Sequence, residues 1–269
     1  MSDNKSPFDL NGSFGDFRSY YDPATGKRIN ARKGGPTPEQ FRNDPKYARA
    51  RERSNEFGGR SKWSSLLKTS LLDLGHLMHV RCFNKIMAAG RLIQQAEVDG
   101  LHGYRTISVN NNPGALPLIE FNERHPFRSV IHVAYEALLS PDKTTVTLSI
   151  PGFVTSKDVQ WESKFYAVRL YLVIAQLSDF NWNPVLEIYE PVVPDLELLS
   201  VCTVSDWMFL NSEPTDVLMK ASFEKPAFTF AGTSVIVAMG VEFSASVVMR
   251  QPYVTPRSGS VAIVGCFTK

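Results

Sequence analysis

Thr233-Ser234-Val235-Ile236-Val237-Ala238-Met239, followed past Gly240 by Val241-Glu242-Phe243-Ser244-Ala245-Ser246-Val247-Val248-Met249, is the stretch on which the fold turns. Two apolar, β-branched runs parted by one glycine predict neighbouring strands, with Gly240 at a bulge or bend. Similar runs at 105–109, 117–121, 129–138, 144–150, 167–177, 185–189, 197–204, 217–223 and 261–267 predict further strands. Turn-rich pieces such as Ser140-Pro141-Asp142-Lys143 and Arg257-Ser258-Gly259-Ser260 part them. No βαβ rhythm is present, and so many strands exceed one open antiparallel layer. Residues 105–269 are therefore expected to form an antiparallel β-sandwich; a jelly-roll-like order and a closed barrel both fit the pattern, which does not define strand order.

Upstream the period changes. Trp63, Leu66, Leu67, Leu71, Leu74, Leu77 and Met78 recur every three or four residues, and Phe83, Ile86, Met87 and Ile93 continue the pattern to Asp99-Gly100, although Gly90 weakens it. Residues 61–104 thus read as a short helical segment, either a hairpin or one kinked helix, buried against the body or between subunits. Ahead of it lies an extended arm, 1–60. Its residues 16–32 read as two short strands around a turn at Asp22, Pro23 and Gly26. So small a hairpin buries too little to offset its ordering entropy and needs a partner surface. Thr37-Pro38-Glu39-Gln40 and Asp44-Pro45 are helix starts, and Phe57-Gly58-Gly59 is expected to stop the second helical piece.

Charge is segregated along the chain. Residues 1–105 hold 18 Lys and Arg against 11 Asp and Glu, whereas 106–269 hold 11 against 16. Between Lys27 and Lys68 twelve basic residues face four acidic ones. The candidate assembly residues of this arm are Arg28, Arg32, Lys33, Arg42, Arg49, Arg51, Arg53 and Phe57. Two partner classes fit them: an acidic protein surface, first of all another copy of this chain, and the phosphates and bases of nucleic acid. The oppositely charged body on the same chain favours the protein partner, giving a homo-oligomer.

In the body, Asp179-Phe180-Asn181-Trp182-Asn183 and Asp206-Trp207 combine rings with amides, so Trp182, Asn183 and Trp207 form a candidate carbohydrate-binding loop; the simpler reading is turn amides beside core aromatics. His76, His79 and Cys82 share a three-residue spacing but lack a convincing fourth metal ligand, and Glu120, Glu123 and His125 are a weak acid–base grouping. No catalytic, metal or cofactor site is expected. Cys82, Cys202 and Cys266 are odd in number and widely spaced, which fits neither a disulfide framework nor a zinc knuckle. The 269 residues, 43% apolar, support a substantial core but hold no membrane-length apolar run, and Met1-Ser2-Asp3-Asn4-Lys5 lacks signal-peptide order. The expectation is a chain that is cytoplasmic when synthesised.

The stretch from Gly34-Gly35-Pro36-Thr37 through Arg51-Glu52 and Asn55-Glu56-Phe57-Gly58-Gly59 resembles the N-terminal arm of an uncharacterised protein family recurrent in Bacteroidota-type genomes. The resemblance covers the first quarter closely and the rest in outline. It implies a Gly-rich hairpin and a Pro-rich basic arm ahead of a short helical segment and a β-rich domain, with no catalytic residue to carry over. Taken together, these features lead to the expectation of a non-enzymatic, self-assembling structural protein, such as a virion-like, secretion-apparatus or lattice subunit. A carbohydrate- or nucleic-acid-binding module is the alternative.

Overall fold

The computed structural model describes residues 12–22, 25–32, 34–117, 119–196, 199–211, 213–228, 230–248 and 251–269; Pro23 of the expected turn and Lys33 of the arm lie outside them. The chain divides into two compact units, Met1–Arg51 and Glu52–Lys269. The division thus falls before residue 60, and the helical segment belongs to the same unit as the β body.

In the first unit β1 (Gly12–Phe14), β2 (Phe17–Asp22) and β3 (Lys27–Arg32) form a three-stranded antiparallel meander, one strand more than expected. Gly15, at φ 52°, and Gly26, at φ 64°, supply the left-handed turn positions, and the amide of Gly26 donates to the carbonyl of Asp22 (2.9 Å). Helix α1 (Pro38–Asn43) begins where the Thr-Pro-Glu-Gln signature places it: Thr37 Oγ1 accepts from the Gln40 amide, and Gln40 Oε1 from the Thr37 amide. A 3-10 turn over Pro45–Tyr47 follows, with Asp44 accepting the Lys46 amide.

Helix α2 (Ala48–Ser70) runs through Phe57-Gly58-Gly59 and does not stop there. Two helical glycines cost roughly 2 kcal/mol relative to alanine. The offset is packing that only Gly59 permits, since a β-carbon there would stand 2.5 Å from the ring of Tyr189. Along α2 and just past its end the predicted apolar face is buried: Trp63, Leu67, Leu71, Leu74, Leu77 and Met78 are all in the core. The chain turns through a 3-10 segment, Leu72–Leu74, into α3 (Cys82–Ala96), which buries Cys82, Ile86, Ala89 and Ile93. At Gly90 a β-carbon would lie 3.1 Å from the Trp63 ring, so the glycine lets the two helices approach as a hairpin.

Among the described residues, 105–109 and 117–121 form no strands; they touch the sheets through single bridges, Ile107 to Phe180 and Glu120 to Ala262. The run at 129–138 opens in a short helix, α4 (Phe127–Val130), and only its end forms β4 (Glu136–Leu139). The remaining strands are β5 (Thr145–Phe153), β6 (Ala167–Ser178), β7 (Phe180–Asn183), β8 (Ile188–Pro191), β9 (Ser200–Val204), β10 (Met208–Phe209), β11 (Thr215–Ser222), β12 (Thr233–Val248) and β13 (Gln251–Thr268). The two runs around Gly240 are one strand, β12.

Antiparallel ladders give a sheet in the order β10-β6-β12-β13, with β9 also on β6, and a second sheet in the order β11-β5-β4; β7 and β8 make a separate hairpin. Val168, Leu170, Leu172 and Ile174 of β6, with Val235, Val237, Met239 and Val241 of β12, share a core with Val146, Leu148 and Ile150 of β5 and Met219 of β11. This is the sandwich. The alternate residues, Tyr171, Val173, Ala175, Ile236 and Ala238, pack instead with Trp63, Leu67, Leu74, Leu77 and Ile86 of the helical hairpin. The larger sheet is therefore covered on both faces, which is why β6 and β12 read as unbroken apolar runs and not as alternation.

Candidate functional site

Directly opposed residues of an antiparallel pair project to the same face. The pairs Phe14 with Phe17, Phe17 with Arg32, Ser19 with Asn30 and Tyr21 with Arg28 therefore set three rings, two guanidinium groups and two small polar side chains on one face of the N-terminal sheet. Phe14, Phe17 and Tyr21 are 48%, 60% and 56% exposed. Among the described residues of Met1–Arg51 none is buried. The carboxylate of Asp16, at the first turn, lies 4.0 Å from Arg32. On the opposite face Arg18 stands 5.6 Å from the centre of the Tyr20 ring.

The other basic residues of the arm have different fates. Arg51 Nη1 donates to the carbonyls of Phe41 (2.7 Å) and Asp44 (3.0 Å), so this guanidinium ties α1 to the start of α2. Arg42, Arg49 and Arg53 are exposed. Phe57 is 58% exposed, with the Arg60 guanidinium 5.9 Å from its ring centre.

Glu56, in the same short motif, is buried. It accepts Arg105 Nε (2.7 Å) and Nη2 (2.9 Å) as a two-pronged pair, together with the Gly103 amide (3.0 Å). Burial alone pushes its carboxyl up; the bond from Arg105, the Gly103 amide and the Arg105 charge outweigh that and hold it below the ordinary value. Beside it, Tyr189 donates its hydroxyl to the Arg105 carbonyl (3.0 Å), and Lys62 Nζ caps the Tyr189 carbonyl (3.1 Å). Glu56 and Gly59 thus lock α2 onto the 103–105 loop and the β7–β8 hairpin.

That hairpin holds two of the candidate ligand residues. Trp182 packs edge-on against Tyr189, 5.4 Å between centres, and tilted against Tyr104, at 5.0 Å. Asn183 donates to Glu190 (2.7 Å) and accepts the Val185 and Leu186 amides, so its amide serves the turn. Asp179 is buried, accepting from Ser108 Oγ (2.7 Å), the Val109 amide (2.8 Å) and Asn110; burial raises its carboxyl and these bonds offset part of the rise. Trp207 lies elsewhere, with the Arg169 guanidinium 4.6 Å from its ring centre.

Arg169 leads to a cluster that sequence reasoning missed. Glu242, 2% exposed in the middle of β12, accepts Arg169 Nε (2.6 Å) and Tyr171 Oη (2.8 Å) on Oε2, and His76 Nε2 lies 3.2 Å from Oε1. Burial first, and then the adjacent Glu242 carboxylate, raise the Tyr171 phenol well above its ordinary value. The one available signal was a lone acid inside an apolar run beside Gly240. At Gly240 a β-carbon would meet Leu74 Cδ2 at 2.8 Å, so the glycine admits the turn that carries His76.

His76, His79 and Cys82 do line a common pocket, yet no set of three metal-ligating side chains converges among the described residues. Burial raises the Cys82 thiol, which disfavours the thiolate that a metal needs. Glu120 pairs with Arg128, Glu123 with Lys85 and His125 with Glu162, so the three do not form one centre.

These features define a two-sheet antiparallel sandwich with a helical third layer and a separate basic, aromatic β-meander unit. No family model, curated protein or solved structure matches the chain. No helix among the described residues is long and apolar enough to cross a membrane.

Proposed function

We propose that the protein is a non-enzymatic structural subunit that assembles with copies of itself through the N-terminal sheet. The observation that carries this reading is the face of Phe14, Phe17, Tyr21, Arg28 and Arg32, displayed by a unit in which no described residue is buried. Each ring moved from half exposure to burial contributes on the order of 1 kcal/mol, and rings with arginines are the side chains that dominate protein interfaces. Charge favours the body of a second copy as acceptor: residues 1–51 hold ten Lys and Arg against six Asp and Glu, and 52–269 hold nineteen against twenty-one.

The same rings and guanidinium groups support a second reading, stacking on a single-stranded nucleic acid. Light scattering on the full-length chain, wild type and with Phe14→Ser, Phe17→Ser and Tyr21→Ser combined, separates the two. Assembly predicts a defined oligomer that the triple variant loses while its circular dichroism is retained. A wild type that stays monomeric at tens of micromolar, or an oligomer indifferent to the three changes, overturns it. Binding of a labelled oligonucleotide that weakens steeply with salt and vanishes in the variant puts the second reading in its place.

A further inference from the structure

Between the α2–α3 turn and β12 lies a pocket of about 560 Å³, a size that holds a small organic molecule. Glu242 forms part of its wall, but both carboxylate oxygens are already engaged, by Arg169 and Tyr171 on one and His76 on the other. The carboxylate therefore orients the imidazole and is not available to a ligand. With Nε2 turned to Glu242, the neutral ring of His76 presents Nδ1 as an acceptor, so this side chain, 47% exposed, forms wall and not an anchor for an acid group.

His79 is set the opposite way by its own contact. Its Nδ1 accepts the Arg81 amide (3.3 Å), so the neutral ring carries its proton on Nε2 and is a donor. Lys68 also lines the pocket, close enough to Cys82 for its charge to act on the thiol. Lys68 brings a positive charge and His79 a donor to a pocket whose one carboxylate is already answered by Arg169. Leu72 and Val80 add apolar wall, 73% and 67% exposed. We propose that this pocket binds a small organic anion with a short apolar body, its acid group held by Lys68 and the His79 Nε2–H and its chain laid on Leu72 and Val80.

The proposal is independent of assembly through the N-terminal sheet and is tested on the full-length protein by calorimetry and imidazole nitrogen–proton NMR. The probes are hexanoate, hexylamine and inorganic phosphate. Hexanoate is expected to bind and to move the His79 resonances, hexylamine to leave them in place, and phosphate to bind more weakly than hexanoate. Lys68→Met, at an exposed position outside the Glu242 network, should weaken hexanoate about tenfold without changing the fold. Equal binding of hexanoate and hexylamine, His79 resonances that stay fixed at millimolar hexanoate, or an unaffected Lys68→Met variant would each overturn it. Phosphate binding as tight as hexanoate would remove the apolar part of the assignment.

Discussion

The backbone of Gly59 lies against the ring of Tyr189, and a β-carbon at this position would stand 2.5 Å from Tyr189 Cγ and 2.7 Å from Cδ2. One residue earlier, Gly58 has open space where its β-carbon would go. Two adjacent helical glycines thus have opposite reasons to exist. Gly59→Ala should destabilise the protein by about 1–3 kcal/mol through overpacking, because the ring that must move is itself buried and hydrogen-bonded. Gly58→Ala should stabilise it by about 0.5–1 kcal/mol through helix propensity. Urea midpoints of the two variants, moving in opposite directions, check both; a shared sign would show that the Tyr189 contact does not govern α2.

Glu56 adds a dependence on pH with a definite sign. Its folded-state carboxyl is held below the unfolded value of about 4.3, so the stability it contributes is complete above that value and is lost as pH falls through the lower folded-state value. Glu56→Gln should cost about 3 kcal/mol at pH 7, since it removes one partner of a buried pair and strands Arg105. The gap between wild type and variant should then narrow as pH falls from about 5 to 3. Chemical denaturation across that range measures it, and a gap that is constant with pH contradicts the assignment.

The parts legible in the sequence were those whose cause is local. The 63–78 spacing, the Thr37–Gln40 cap and the long apolar runs of β6 and β12 each report their own element. Misread parts depend on partners far along the chain. Helix α2 continues through its glycines with Tyr189 filling the space that Gly59 leaves, and the alternating residues at 105–109 tie to Phe180 by one bridge instead of a ladder. The network around Glu242 draws Arg169 and Tyr171 from β6 and His76 from the helical turn, so no short motif contains it. Asn183 looked like a sugar ligand because turn amides and sugar-binding amides have the same composition.

Gly240 and Leu74 provide a test of how the helical layer is seated. A β-carbon on Gly240 would meet Leu74 Cδ2 at 2.8 Å and Leu77 Cδ1 at 3.2 Å, both at the ends of flexible side chains. Gly240→Ala should therefore cost only about 1–2 kcal/mol, and Leu74→Ala about 3 kcal/mol through the cavity it leaves. In the double variant the new methyl enters the space that Leu74 vacated, and the combined loss should fall short of additivity by at least about 0.5 kcal/mol. Strict additivity would mean that the two residues do not meet.

The N-terminal sheet should show its dependence on a partner in hydrogen exchange. Its β2–β3 ladder pairs Phe17 with Arg32 through Asp22 with Lys27, yet no described side chain of its unit is buried. Three strands without a covered face open at little free-energy cost, so these amides should exchange with little protection in dilute protein. In β12, paired on both sides by β6 and β13 and covered on both faces, opening approaches global unfolding and protection should be high at every concentration. If copies dock through the face of Phe14, Phe17 and Tyr21, protection of residues 17–32 should rise by about tenfold or more from micromolar to hundreds of micromolar protein, while β12 stays unchanged. Exchange in 17–32 that is slow already in dilute samples would mean that the sheet finds its partner surface within one chain, and the assembly reading would lose its support.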